Sequence, residues 1–243
     1  MPETKFEIRR ARERGHANFG WLDSWHTFSF GNYRDPRQIG FSDLLVINDD
    51  TVQPGQGFPT HGHRDMEIFS YVLEGALEHK DSMGTGSVIR PDDVQMMSAG
   101  TGITHSEFNH SKRELVHFLQ IWIVPDRKQV APRYQQKNFA PDEKRGRLRL
   151  IISPDEQDNS LSVYQDARVW AGLFDGAERQ EHRLAPGRYA YVHVARGELG
   201  VNGNRLATGD GARIRNEERI TLEQGKEAEV LLFDLRAIES PGM

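Results

Sequence analysis

The chain of 243 residues contains no cysteine. That absence excludes disulfides, cysteine-ligated zinc, iron–sulfur clusters and thiol catalysis together. Long apolar runs are missing too. None exceeds four residues, as at Leu44–Ile47, Ile121–Val124 and Val230–Phe233, whereas a spanning helix needs about 20. The opening MPETKFEIRRARERG is charged and carries no apolar stretch, so a secretory signal is not expected and a cytoplasmic location is. Positive charge is not in excess either: 36 acids against 31 bases leave a formal net charge of −5. A nucleic-acid clamp needs a basic face to displace counterions from phosphates, and an anionic membrane calls for a polybasic run, so neither is an expected partner. Helical periodicity is hard to find over any window of twelve.

What the chain does have is frequent punctuation. Its 23 glycines and 11 prolines are spread along it rather than pooled in one linker. Between them lie short segments with period-two patterning or β-branched and aromatic enrichment, which read as strands. They include 43–48, 66–74, 76–80, 94–98 and 114–124, then 148–153, 168–174, 188–195, 198–201 and 228–235. Val201-Asn202-Gly203-Asn204 is a two-residue hairpin signal, since Asn-Gly tolerates the positive φ angles of a type I′ turn. Many short strands with turn signals predict an all-β protein of jelly-roll type.

Pro125–Gly146 breaks the rhythm with three prolines and the charge-rich DEKRGR. It divides the chain into an N-terminal unit at 1–125, a connection at 126–145 and a C-terminal unit at 146–243. The two parts echo each other. YVLEGALE (71–78) and YVHVARGEL (191–199) both run strand, glycine, strand and turn. The echo predicts two related β-barrels in one chain.

Of the ten histidines, His16, His26, His79, His110, His117, His182 and His193 stand alone and read as surface or hydrogen-bonded residues. Two pairs differ: His61-Gly62-His63 and His105-Ser106-Glu107, each in a glycine-rich setting. Chance alone gives about 0.4 His-x-His pairs in such a chain, so neither pair is specific by itself. In a strand, residues i and i+2 share a face. Two such strands facing each other would aim three imidazoles and a carboxylate at one point. That set suits a divalent transition metal: iron, manganese, cobalt, nickel, copper or zinc. Phe28, Phe30, Phe58, Met66 and Met96 are candidates to line a pocket for a flat ligand, or else to fill the core.

The surrounding pattern, with Gly55, Glu67, Gly75, Gly86, Pro91, Gly102 and Asn109 around the pairs, resembles the two motifs of the cupin superfamily. Longer stretches narrow the likeness. RGHANFGWLDSWHTFSFGNYRDP (14–36), THGHRDMEIFSYVLEGALEHKDSMG (60–84) and MMSAGTGITHSEFN (96–109) resemble the pirin family. With HFLQIWIVP (117–125) and PRYQQKNF (132–139), the chain is similar to bacterial pirin-like quercetinases, densely in its first half and more loosely in its second.

The resemblance implies a bicupin, two jelly-roll-like barrels with metal in the first. It implies His61, His63, His105 and Glu107 as ligands and Fe(II) as the first expectation for the ion. Many other cupins take their carboxylate ligand from the first motif, which makes Glu67 the rival ligand. The second half has no His-x-His and no His-x-Glu, so its barrel is expected to bind no metal. The implied activity is dioxygenase opening of a flavonol heterocycle, with carbon monoxide and a depside ester released. A small aromatic substrate and dioxygen are the implied partners. The substrate's 3-oxygen would sit on the metal, and Glu107 would be the general base, leaving the metal or binding it loosely as substrate enters. The family's other implied role is a metal-binding regulator that works through protein partners.

Overall fold

The computed structural model describes residues 5–240, and most of them are strand. The first half carries β1 (Phe6–Arg9), β2 (Gly15–Asn18), β3 (Leu22–His26), β4 (Leu44–Val52), β5 (Gly57–His63) and β6 (Glu67–Glu74). It continues with β7 (Leu77–Asp81), β8 (Gly86–Ile89), β9 (Asp93–Ser98), β10 (Ile103–Asn109), β11 (Val116–Ile123) and β12 (Arg133–Asn138). The second half carries β13 (Leu148–Ser153), β14 (Leu161–Ser162), β15 (Arg168–Phe174) and β16 (Arg179–Arg183). Then follow β17 (Arg188–Val201), β18 (Asn204–Ala207), β19 (Gly211–Ile214) and β20 (Arg219–Arg236). The one α-helix among the described residues is a single turn at Pro141–Lys144; no helix is long and apolar enough to cross a membrane.

The first half is a seven-stranded sheet, β12-β9-β6-β11-β4-β3-β2, facing a four-stranded sheet, β5-β10-β7-β8. Leu77 and Ile89 of the smaller sheet pack with Val52, Val72, Val116 and Phe118 of the larger and close one end of the barrel. Period-two alternation then sorts the larger sheet's side chains between two environments. Along β11, Phe118, Gln120 and Trp122 point into the barrel, while Leu119, Ile121 and Ile123 point away from it. The outward set meets Tyr189, Tyr191, Leu231 and Phe233 of the second half in one buried cluster. The larger sheet is therefore apolar on both faces. That explains the near-continuous burial of β6 and β11.

The second half is all-β as expected, its eight strands joined by β1 in a nine-stranded sheet folded into a barrel. Its closure rests on β17 and β20, 14 and 18 residues long, which pair twice along their length across three register shifts. Strands that bend through bulges can serve both faces of a barrel. At the bend, Gly197 has φ +70, and a Cβ there would stand 2.2 Å from the Lys226 carbonyl oxygen. Gly75 does the same in the first half, with φ +76 and the Leu115 carbonyl 2.4 Å from a would-be Cβ. The two echoed segments thus share a positive-φ glycine, and Tyr71 and Tyr191, which open them, both enter the inter-barrel core. Asn202 and Gly203 both have positive φ, as the hairpin signal requires.

Two segments sit differently from the sequence expectation. The stretch read as a connection contains β12, which pairs with β9 at the edge of the first barrel's sheet. Its RYQQKN pattern shows no apolar face because its glutamines hydrogen-bond instead: Gln135 donates to Ser162 and Gln136 to Val88. At the other end of the unit expected at 1–125, β1 pairs with β19, inside the second half's sheet.

Candidate metal centre

β5 and β10 are antiparallel neighbours, with His61 directly across from His105. The i, i+2 spacing turns His63 to the side of His61, and the ring centroids of His61, His63 and His105 lie 4.5–4.9 Å apart. A register shift between His105 and Glu107 sets Glu107 opposite Phe58. Burial along β10 alternates strictly, which carries His105 and Glu107 inward at 1% and 2% exposure. β5 was the harder strand to read. GFPTHGH has a proline, two glycines and no apolar alternation, because it turns histidines rather than aliphatics to the barrel interior.

The ligand-type atoms of His61, His63 and His105 all lie within 4.8 Å of one another. Glu107 forms a second such group, with His105 and His79. Glu67 joins neither. It is buried beneath the barrel, where its Oε2 accepts from Ser98 Oγ at 3.0 Å and from the Tyr164 backbone N–H at 3.1 Å. Burial pushes its carboxyl up to about 7 against those two hydrogen bonds.

Hydrogen-bond bookkeeping tests whether a cation fits. His61 Nδ1 is 2.8 Å from the Pro59 carbonyl, which can only accept, so the ring's proton is on Nδ1 and Nε2 is bare. Asp81 Oδ2 is 3.0 Å from His79 Nε2, which makes Nε2 the donor of that ring. Burial pushes His79 down, outweighing the Asp81 hydrogen bond, so the neutral ring offers a lone pair at Nδ1. His105 Nδ1 lies 3.4 Å from it, so that lone pair can take the His105 ring proton and leave His105 Nε2 bare. The two bare Nε2 atoms of His61 and His105 are 3.1 Å apart. Two nitrogens each about 2.0–2.1 Å from one ion stand about 3 Å apart, so two lone pairs facing each other at that distance suit a cation between them. Protons on His105 and His63 are disfavoured. Burial and then His61, His63 and His79 push His105 down to about 2, and burial and His61 push His63 down to about 4. The residues fit a divalent metal.

Glu107 closes the interior side. Gln120 Nε2 donates to its Oε2 at 2.7 Å, and Ser70 Oγ lies 3.3 Å from Oε1. Burial pushes the carboxyl up to about 7, with both hydrogen bonds opposing. Gln120 and Ser70 were not singled out from the sequence. Their signal was there: each is a polar residue with apolar neighbours on both sides in a buried strand.

His61, His63 and Glu107 end a cavity of about 700 Å³. Phe19, Trp21, Phe30, Tyr33, Phe58 and Trp122 supply its aromatic walls, and Ser24, His26, Asn48 and Asp50 a polar strip along β3 and β4. Ser24 Oγ donates to Asp50, whose carboxyl burial pushes up to about 7 against that bond. Of the aromatic and sulfur candidates, Phe30 and Phe58 line the cavity. Phe28 and Met96 belong to the inter-barrel core, and Met66 packs beside Trp122 on Ile68 and Met97. Met96 is on the outward face of β9, which no single-strand pattern distinguishes from the inward one, and Phe28 reaches the core from the loop after β3.

Comparison with known proteins adds the following. The pirin family model matches residues 6–123, and the model of the quercetinase C-terminal cupin domain matches 150–235. The quercetin 2,3-dioxygenase of Escherichia coli K12 is 50% identical over 230 residues, covering 94% of this chain and 97% of that protein. A pirin-like protein of Caulobacter vibrioides is 39% identical over 221 residues, covering 90% and 95%. The crystal structure of the E. coli bacterial pirin YhhW in complex with nickel(II) superimposes with a TM-score of 0.92 at 47% identity, over 96% of this chain and all of that one.

Proposed function

From the premise that this chain belongs to the pirin family and is a bicupin, we propose that it is a metal-dependent dioxygenase that opens the heterocycle of quercetin-type flavonols. One flavonol and one dioxygen give a depside ester and one carbon monoxide. His61, His63 and His105 hold a divalent transition metal, with Glu107 as the carboxylate of the set. The observation that carries the reading is the convergence of His61, His63 and His105, with two Nε2 atoms 3.1 Å apart, at the end of an aromatic-walled cavity. Three neutral imidazoles and a carboxylate accept Fe(II), the expectation from the sequence, as readily as the nickel(II) of the E. coli structure. When bound, the ion supplies a Lewis-acid anchor for an ionised 3-oxygen and a partner for dioxygen chemistry.

The protein's own groups do the rest. A cavity of this size is in the range that takes a ligand of drug size. Trp122, Phe58 and Phe30 offer flat apolar surface to its rings and keep water out. Glu107 takes the proton of the 3-hydroxyl at Oε1, the oxygen whose contact to Ser70 is the longer. Gln120 keeps Oε2 occupied, so the carboxyl does not turn. The polar strip of Ser24, Asn48 and Asp50 offers hydrogen bonds to ring hydroxyls.

The test is metal analysis of the purified protein, followed by oxygen uptake and carbon monoxide release with a flavonol panel in the same preparation. One metal ion per chain and equal amounts of oxygen consumed and carbon monoxide released are expected, with both metal and turnover lost in His61→Ala. A metal-loaded protein that consumes no oxygen with any flavonol would overturn the enzyme reading in favour of a metal-binding regulator.

A further inference from the structure

His79 stands alone in the sequence, Asp81 belongs to neither ligand pair, and the proposed reaction uses neither. They lie two apart on β7, which pairs with β10 so that His79 is across from Glu107 and Asp81 across from His105. Both side chains are fully buried. The His79 ring lies over Tyr134, centroids 4.8 Å apart. Asp81 is fixed by the hairpin that follows: its Oδ1 accepts the backbone N–H of Met83 at 2.9 Å and of Thr85 at 3.1 Å. Only Oδ2 is left for His79 Nε2.

We propose that Asp81 and His79 are positioning residues that lock His105 in its Nδ1–H tautomer and so keep the Nε2 lone pair aimed at the metal. The direction of the relay follows from donor counting. A carboxylate oxygen only accepts, so the His79 proton is on Nε2, and its Nδ1 can only accept from His105 Nδ1. A histidine ligand ordinarily donates its second N–H to a carboxylate or carbonyl, and loss of such a partner typically costs 10–100-fold in metal affinity. Here an imidazole stands between ligand and carboxylate, so one change at Asp81 reverses two tautomers at once. The proposal rests on the reading of His105 as a ligand.

Asp81→Asn tests it with almost no change of shape. The amide oxygen must stay on the Met83 and Thr85 N–H groups, because the opposite orientation would set NH₂ against two donors. The NH₂ therefore faces His79 Nε2 and donates where the carboxylate accepted. His79 becomes the Nδ1–H tautomer, and His105 must carry its proton on Nε2. Long-range ¹H–¹⁵N spectra of the metal-free protein should show His105 protonated on Nδ1 in the wild type and on Nε2 in Asp81→Asn. Nickel(II) affinity should fall about 10–100-fold with thermal stability little changed. His79→Asn sets an amide oxygen near the former Nδ1 and should keep the wild-type tautomer and most of the affinity, whereas His79→Phe should lose both. An Asp81→Asn protein whose His105 keeps its proton on Nδ1, or which binds nickel(II) like the wild type, overturns the relay. A wild type that takes up no nickel(II) overturns the ligand reading instead, and the metal-free spectra still decide the tautomers.

Discussion

Glu107 and Glu67 are both buried carboxyls that burial pushes up to about 7, yet their neighbours divide their roles. Glu107 faces the cavity with one oxygen held by Gln120. Replacing it by glutamine keeps the volume and removes the base, and loss of a positioned base typically costs about 10²–10⁴ in rate. Glu107→Gln should therefore retain its metal, by elemental analysis, and lose turnover on that scale. Glu67 meets Ser98, Tyr164 and the charges of Arg133 and Asp126 and joins neither ligand group, so Glu67→Gln should keep both metal and turnover. Its effect should appear in stability. A carboxyl whose folded pKa is raised contributes most below its unfolded pKa, near 4.5, and loses that contribution as pH climbs through about 7. Denaturant titrations at pH 5 and pH 8 should show the wild type losing up to about 3 kcal/mol relative to Glu67→Gln.

Among the elements, the β5–β10 pair governs the spacing of the candidate ligands. Gly57 is the closest point of that pair. A Cβ there would stand 2.3 Å from the Glu107 carbonyl oxygen and 2.5 Å from Phe108 Cα. Both atoms are backbone and cannot swing aside. Gly57→Ala must push the strands apart within a few residues of His61 and Glu107. Overpacking of this kind costs about 1–3 kcal/mol, and the thermal midpoint should fall with metal affinity, whereas Gly86→Ala, with open space around its Cβ, should spare both. Calorimetry with and without added nickel(II) separates the two effects.

For the molecule as a whole, the decisive feature is the buried cluster shared by both barrels. Polar ties cross the same boundary. Arg236 makes two hydrogen bonds to the Asp43 carboxylate at 2.7 and 2.8 Å, and Tyr71 donates to Glu229 at 2.7 Å. With β1 in the second sheet, the chain also crosses the boundary at its start. We propose that the units bounded near 1–125 and 146–243 unfold together. Phe233→Ala, made wholly in the second half, should cost about 3–5 kcal/mol and lower one single transition, seen equally by tryptophan fluorescence and by far-ultraviolet circular dichroism. A piece ending at residue 125 should fail to fold stably, since it would expose Phe69, Tyr71, Leu119 and Ile121 to water.

Strand content and the shared faces of His61 with His63 and of His105 with Glu107 were legible because they depend on short-range periodicity, and the two-barrel plan because two distant segments echo each other. Strand alternation fixes which residues share a face, and i, i+2 spacing needs no partner strand to be seen. What lies across from a strand is another matter. Whether Met96 is core and whether Glu67 reaches a ligand position depend on which face of a twice-covered sheet each occupies, and whether Phe28 or Phe30 lines the cavity depends on the path of the loop after β3. The role of His79 depends on β7 lying beside β10, a pairing between residues some twenty-six positions apart. The sequence by itself determined the donors and their spacing along each strand. Only the tertiary structure decided their tautomers, because a ring proton is settled by the acceptor that packing sets against it.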